Sequence, residues 1–410
     1  MPVANIFLFV IFFIAASAAI WRIQSKKTGL SALALFSAFG FKTTMAILYG
    51  YLFLKLYNGD DTWEIHKECL EAWEMLRSSP GEYFRQFLPS GSSSGETAAE
   101  SLSIYLYNLE QHLISLMMLP LVPITGGNYY LMVIFLSAIL FPAQCRLFSI
   151  FKQSFPDSNT IIYTLVFWFV PAVFWLSGLR ADGFIFLAFT GILISFPKWI
   201  QKSDVKSLLH CFACWVLIFI FRWQVALVIL PGLLAWWISA KRNLSPFKIF
   251  ALAYAAGFVF LILLECFPLP FQPLSIIKNT QQAFLSLEGT RFTLPPLEGW
   301  KSWIEIFPYA LSNSFLRPFL WEAHGPLQLM AGLESMLLII TAVAAFSRFG
   351  HFAGIVQKPL FCFLLFFSIF LYLSIGYIVP FPGAIVRYRI MGELILLLIF
   401  ILSFERKVKL

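Results

Sequence analysis

The sequence predicts an all-α integral membrane protein, a bundle of about eleven transmembrane helices. Of its 410 residues, 60% are hydrophobic and 12% are charged, and the mean hydropathy is +0.80. So few charges cannot cover the surface of a soluble protein of this length. Apolar runs of roughly 15 to 25 residues recur along the chain, and that length matches a helix that crosses a bilayer. We therefore expect one membrane domain, 1–410.

The first apolar run lacks the basic start of a signal peptide, so it is predicted to be retained as a span. Most later runs are separated by short polar or basic segments, as expected when a chain crosses a membrane repeatedly. The predicted spans are residues 4–21, 30–56, 129–149, 160–178, 183–199, 207–221, 224–240, 248–267, 327–347, 359–379 and 389–404.

Basic residues predict the orientation of these spans, because Lys and Arg accumulate in cytoplasmic loops. They cluster in alternate loops at Arg22/Lys26/Lys27, Arg146/Lys152, Lys198/Lys202/Lys206, Lys241/Arg242/Lys248, Arg348/Lys358 and Arg406/Lys407/Lys409. Of the 21 acidic residues, only Asp157, Asp204 and Glu405 fall in the same loops. The N-terminus is therefore predicted outside and the C-terminus inside. The net charge of +8 reflects these flanks and does not indicate nucleic-acid binding.

Two long segments are predicted on the outer side, 57–128 and 268–326. The first contains WEIHKECLEAWEMLRSSPGEYFRQFL, which has the pattern of an amphipathic helix, and a Gly/Ser-rich tip. Residues 102–122 are long enough to cross the bilayer, but Glu110, Gln111 and His112 stand at their centre. Ionisable groups are costly inside a membrane, so we predict a helix lying in the outer interface.

Two adjacent aspartates, Asp60 and Asp61, directly follow the second span in the stretch YNGDDTWEIH. A carboxylate here could act as a general base on an acceptor hydroxyl. It could equally cap the helix that follows. His66 is either an accessory group or an ordinary surface residue. A divalent cation such as Mg²⁺ or Mn²⁺ at the two aspartates would need further oxygen ligands, and the spacing leaves this open.

The next outward turns add Arg180 and Asp182 in SGLRADG and Arg222 in FRWQ. Arg180 and Asp182 form either part of a site or a local ion pair with a helix cap. Arg222 stands between two strongly apolar runs, and such a residue is a functional candidate by default.

Further arginines are predicted on the outer side at Arg317 and in the turn PFPGAIVRYR, which contains Arg387, Tyr388 and Arg389. Guanidinium groups bind phosphate oxygens in a bidentate manner. The arginines of the turn could alternatively extend to lipid head groups. Carboxylates beside arginines at the mouth of a helix bundle suit a lipid phosphate that carries a sugar, with the lipid tail in an apolar cavity.

These features together resemble the GT-C superfamily of polytopic glycosyltransferases, which includes the bacterial aminoarabinose transferase and the protein O-mannosyltransferases. In that family an acidic motif follows a span in the first large outer loop, and here GDDTWEIH holds that place. Asp182 matches the acid of the next outward turn, and Arg222 matches the basic residue after it. The stretches VFWLSGLRADGFIF, LRPFLWEAHGPLQ and PFPGAIVRYRI are similar to GT-C-like proteins of polysaccharide gene clusters. Compared with the family, the chain is expected to have an additional N-terminal span and no soluble C-terminal domain.

The resemblance implies an inverting transferase of a bacterial inner membrane, with its active site facing outward. The donor would be a sugar on a polyprenyl phosphate, and the acceptor an envelope glycan or glycolipid. Asp60 or Asp61 would be the base, with Asp182 as a further catalytic acid residue, and the arginines would bind the phosphate. Two alternatives remain open: a polysaccharide polymerase or ligase that uses a lipid-diphosphate donor, and a flippase or transporter of lipid-linked sugars.

Overall fold

The computed structural model describes residues 3–88, 98–242, 244–266, 273–323 and 325–404. All regular elements in these ranges are helical, which confirms the predicted all-α class. The Gly/Ser-rich tip at 89–97 and the basic cluster Arg406/Lys407/Lys409 lie outside the described residues.

The helices of the first half are α1 (Val3–Thr28), α2 (Ala32–Tyr57), α3 (Asp61–Ser78), α4 (Pro80–Arg85), α5 (Ala98–Met118), α6 (Leu121–Thr125), α7 (Tyr129–Ser154), α8 (Asn159–Trp168), α9 (Val170–Trp175) and α10 (Ala181–Lys202). Those of the second half are α11 (Val205–Arg242), α12 (Pro246–Cys266), α13 (Pro273–Ser286), α14 (Gly299–Leu311), α15 (Pro326–Ser347), α16 (Phe349–Val356), α17 (Pro359–Ile378) and α18 (Pro382–Leu402).

Eight helices in the described part of the chain are long and apolar enough to cross a membrane. They are α1, α2, α7, α10, α11, α12, α15 and α17. The count differs from eleven for three local reasons. Helix α11 holds two predicted spans in one element, residues 160–178 form two short helices, and α18 carries several charges. A polytopic helical membrane protein is thus shown.

The predicted span 160–178 is not one continuous helix, because the helix is interrupted at Phe169. Pro171 has no backbone N–H to donate to the carbonyl of Phe167, and in a continuous helix its ring would clash with that carbonyl. Helix α8 therefore ends at Trp168, and α9 begins at Val170.

The break predicted at FRWQ is confirmed, because α11 consists of two helices that meet at a kink, where Arg222 has a non-helical φ of −160° and ψ of 86°. One predicted turn is wrong. The turn at 380–389 is largely helical, because α18 begins at Pro382, whose fixed φ favours the first helical position. Arg387, Tyr388 and Arg389 therefore project from a helix.

The chain divides into two compact units. Unit 1 comprises Met1–Gly91, Ile104–Trp199 and Asp204–Phe221. Unit 2 comprises Ser92–Ser103, Ile200–Ser203 and Arg222–Leu410. In unit 1, α7 packs against α1 and α2. In unit 2, α17 and α18 pack together, with α14 against α17 and α15 against α18. The boundary between Phe221 and Arg222 falls in the FRWQ break that the sequence predicts between two spans.

Candidate functional site

The two aspartates lie at the junction between α2 and α3 in unit 1. After α2 ends, Asn58 and Gly59 adopt positive φ angles of 54° and 100°, which turn the chain into the next helix. Asp60 is the N-cap of α3, and its Oδ1 accepts a hydrogen bond of 3.0 Å from the backbone N–H of Thr62. The capping hypothesis is therefore confirmed for Asp60, while Asp61 opens the helix itself.

Arg180 joins both aspartates. Its Nη1 donates to Oδ2 of Asp60 at 2.6 Å, and its Nη2 donates to Oδ2 of Asp61. Nη1 also lies 3.3 Å from the hydroxyl of Tyr49. The side chains of Arg180, Asp60 and Asp61 are 7%, 14% and 56% exposed. Asp61 is therefore the member of this cluster that a substrate can reach.

The loop that carries Arg180 is fixed to α2 and α3. Lys42 of α2 donates to the carbonyl of Leu176 and to the hydroxyl of Ser177, each at 3.1 Å. The hydroxyl of Thr62 donates to the carbonyl of Leu179 at 3.1 Å. Because these bonds satisfy polar groups in a buried loop, they hold the arginine in place.

Asp182 lies in the first turn of α10 and is 6% exposed. A carboxylate in this position interacts favourably with the positive end of the helix dipole. Its burial distinguishes it from Asp61. Asp182 lies close in sequence to the Arg180 loop, and its catalytic role stays a prediction.

His66 is buried rather than exposed, at 8%. Its Nε2 donates to the carbonyl of Gly127 at 2.9 Å and links α3 to the turn before α7. Burial lowers the pKa of His66, while the hydrogen bond to Gly127 opposes this shift. The surface interpretation is thus wrong, because the ring fastens a turn to a helix.

Three of the predicted phosphate-binding residues come together in unit 2. The guanidinium carbon of Arg222 lies 3.9 Å from the ring centroid of Tyr388, and that of Arg387 lies 4.6 Å from it. Arg387 Nη2 also donates to the Tyr388 hydroxyl at 2.8 Å. All three side chains are partly exposed. Two cations held by one aromatic ring form a place where an anion would be attracted.

The other three predicted arginines are engaged elsewhere, and Arg180 pairs with Asp60 and Asp61 in unit 1. Arg317 Nη2 pairs with Glu322 Oε1 at 2.6 Å, and its guanidinium lies over the ring of Phe292. Arg389 is fully buried. It donates to the carbonyls of Ser314 and Arg317 and to the hydroxyl of Ser335. The expectation that Arg389 lies in an outward turn is wrong, since α18 carries it into the core of unit 2.

Two buried carboxylates, Glu334 and Glu393, are absent from the candidates that the sequence suggests. Glu393 Oε2 lies 3.3 Å from Nε of Arg389, one helical turn earlier on α18. Glu334 lies on α15 and interacts electrostatically with both. The signal was available, because each carboxylate stands inside a long apolar run, where an ionisable residue is a functional candidate.

An apolar cavity of about 620 Å³ lies in unit 2. Side chains of α15, α16, α17 and α18 line it, among them Leu338, Phe346, Phe352, Leu365 and Leu396. Its size falls within the range of pockets that bind small molecules, and its surface suits a hydrocarbon chain.

No group of three or more His, Cys, Asp or Glu in the described chain could hold a metal ion. Asp60 and Asp61 each bond Arg180, so a cation there would compete with the guanidinium. Comparison of the chain with known protein families, with curated proteins and with solved structures finds no match. The likeness to GT-C enzymes therefore stays a prediction.

Proposed function

We propose that this protein is a membrane glycosyltransferase that moves a sugar from a polyprenyl phosphate to a glycan or glycolipid on the extracytoplasmic face. The observation that carries the proposal is the cluster of Arg222, Tyr388 and Arg387 in a bundle of membrane helices. Its two guanidinium groups suit a lipid phosphate, and the apolar cavity of unit 2 suits a lipid tail.

In the proposed reaction, Asp61 takes the proton from an acceptor hydroxyl, and the hydroxyl oxygen attacks the anomeric carbon. The bond from that carbon to the phosphate oxygen breaks, and the polyprenyl phosphate leaves with the electron pair. Guanidinium groups stabilise the negative charge of the departing phosphate. In-line attack gives inversion. Asp60 and Arg180 are positioning residues, because Asp60 also caps α3 and Arg180 bonds Asp61.

The proposed orientation has the N-terminus outside and the C-terminus inside, in a bacterial inner membrane. It puts the exposed residue Glu82 of α4 outside and the exposed residue Lys206 of α11 inside. Single cysteines at these positions test it with a membrane-impermeant maleimide applied to intact cells. Labelling of Glu82→Cys alone supports the orientation, and labelling of Lys206→Cys alone reverses it.

A binding experiment tests the phosphate site without knowledge of the sugar. Polyprenyl phosphate is the common product of every such donor, and its affinity is measured with the purified protein in detergent. Arg222→Gln and Arg387→Gln are each expected to weaken binding about 10- to 150-fold, the effect of losing a charged hydrogen bond. Arg242→Gln, which removes an exposed arginine from the same α11 helix, is the control. Unchanged binding in both variants contradicts the phosphate site.

A transfer experiment tests the base. Radiolabelled polyprenyl-phosphate glucose and mannose are given to the protein in vesicles of total envelope lipid. Asp61→Asn is expected to lower transfer by about 10²- to 10⁴-fold, the usual contribution of a general base. Glu82→Gln, an exposed acid of the same outer segment, leaves it unchanged. Transfer that survives in Asp61→Asn removes the proposed base.

A transporter of lipid-linked sugars is the second candidate, because Arg389, Glu393 and Glu334 form a charged cluster within the helix bundle. Such clusters occur along ion and substrate pathways. Transport requires no base, so Asp61→Asn would move labelled lipid across the vesicle membrane as fast as the unsubstituted protein does. Transfer of sugar to an acceptor without movement of labelled lipid across the membrane favours the enzyme.

A further inference from the structure

The Arg389 cluster in unit 2 is closed to solvent. Arg389, Glu393 and Tyr372 are each 0% exposed, and Glu334 is 3% exposed. They come from three helices, since Glu334 lies on α15, Tyr372 on α17, and the other two on α18. The guanidinium of Arg389 lies 5.7 Å from the ring centroid of Tyr372.

Most of the hydrogen-bonding capacity of Arg389 goes to neutral acceptors. Nη1 donates to the carbonyls of Ser314 and Arg317 at 2.7 and 2.8 Å, and Nη2 donates to Ser335 Oγ at 2.6 Å. The remaining nitrogen, Nε, faces Glu393 at 3.3 Å. One guanidinium therefore has one close carboxylate, and three of its five N–H groups go to neutral acceptors.

Glu334 is the second carboxylate. Neither of its oxygens accepts a hydrogen bond from any residue that the structure describes. Its electrostatic neighbours are Glu393, which repels it, and Arg389, which attracts it. The guanidinium of Arg317, whose carbonyl belongs to the same cluster, points to Glu322 instead.

With both acids ionised, the cluster would carry two negative charges against one positive charge. A net charge of −1 would then lie in an interior that is closed to bulk solvent. An uncompensated buried charge costs several kcal/mol, far more than keeping a carboxylic acid neutral. A single proton removes the imbalance.

We propose that Glu334 and Glu393 bind one proton between them, so that with Arg389 the cluster is neutral at the pH of the cell. The proton-binding site joins α15 to α18, and it stands independently of the proposed transferase reaction. Loss of the proton would leave repelling carboxylates between two packed helices.

Infrared spectroscopy of the full chain in lipid tests the site through the carbonyl band of a protonated carboxylic acid, which shifts on transfer to heavy water. The unsubstituted protein is expected to show this band near neutral pH. Glu334→Gln and Glu393→Gln should each lose it, because the one remaining carboxylate is then balanced by Arg389 and has no need of a proton.

Glu305→Gln is the matched control, since it removes an exposed carboxylate from α14 of the same unit and should leave the band unchanged. If one of the two buried variants does not fold, the other still decides, because either substitution removes the excess charge. The proposal is overturned if the unsubstituted protein lacks the band at neutral pH, or if a folded Glu334→Gln or Glu393→Gln variant retains it in full.

Discussion

The two units each contain one arginine between two carboxylates, yet the surroundings of the two clusters are opposite. In unit 1, Arg180 pairs with Asp60 and Asp61, and the side chain of Asp61 is 56% exposed. In unit 2, Arg389 lies near Glu393 and Glu334, and all three are buried. Water can therefore solvate the excess negative charge of the first cluster, whereas the buried second cluster needs a proton to neutralise its excess charge. One arginine with two carboxylates thus gives an accessible carboxylate in unit 1 and a charged cluster closed to solvent in unit 2.

The clusters also differ in how the chain holds the arginine. Arg180 belongs to a loop, and bonds from Lys42 and Thr62 to the backbone of that loop fix its position. Arg389 belongs to a helix, and the arginine itself satisfies the carbonyls of Ser314 and Arg317. Neighbouring side chains thus fix the loop of Arg180, whereas Arg389 itself binds and holds the neighbouring backbone.

The largest difference is expected when each arginine is removed. Arg389→Leu leaves buried carboxylates without a cation and two carbonyls without this donor, so it should lower the free energy of unfolding by about 3–5 kcal/mol. Arg180→Leu should cost less, about 1–3 kcal/mol, because Asp61 remains hydrated. Thermal unfolding in detergent measures both, with exposed Arg242→Leu as the control. Equal losses would mean that burial does not distinguish the clusters.

The loop that carries Arg180 fits closely against α2. A Cβ on Gly178 would lie 2.8 Å from the ring of Tyr49, which is fully buried. Gly178→Ala should therefore destabilise unit 1 by about 1–3 kcal/mol, as overpacking does. Gly383→Ala in α18 is the control, because a Cβ there meets nothing within 4 Å. Similar unfolding temperatures for the two variants would show that the loop adapts freely.

The two aspartates of unit 1 should contribute unequally to stability. Asp60→Ala removes a helix cap and a largely buried ion pair, at a cost of about 1–2 kcal/mol. Asp61→Ala removes a half-exposed pair, at a cost below about 1 kcal/mol. Denaturant unfolding of the two variants gives the comparison. A larger cost for Asp61 would assign it a structural role and weaken its candidacy as a base.

The smallest effect concerns His66 and appears only in acid. Because burial lowers its pKa below the ordinary value of 6.5, the folded protein favours the neutral ring. The stabilisation is present above that value and is lost as the pH falls through the lowered pKa. Unfolding temperatures at pH values of about 7.5 and 5.5 should differ less in His66→Gln, which keeps a donor for Gly127. An identical difference would assign the acid sensitivity to other groups.

Several features of this protein follow from local sequence. The membrane class comes from the scarcity of charge, and α2 and α15 nearly match predicted spans because their apolar runs have the length of a bilayer. The cap at Asp60 is equally local, since it joins a side chain to the backbone two residues later. Two predictions are wrong at prolines: the continuous helix around Pro171 and the turn around Pro382. A proline interrupts a helix that reaches it from the N-terminal side, as at Pro171, and it favours the first position of a new helix, as at Pro382.

The sequence by itself determined that the chain is a helical membrane protein and where its charged residues interrupt the apolar runs. Only the tertiary structure decided which charges meet. Arg180 lies about 120 residues from its aspartates, and Arg389 lies 55 residues from Glu334. Apolar periodicity records that a helix is buried, but it does not record which neighbour it packs against. The partners of a charge, and whether water reaches it, depend on that packing, and so does the chemistry that each cluster can perform.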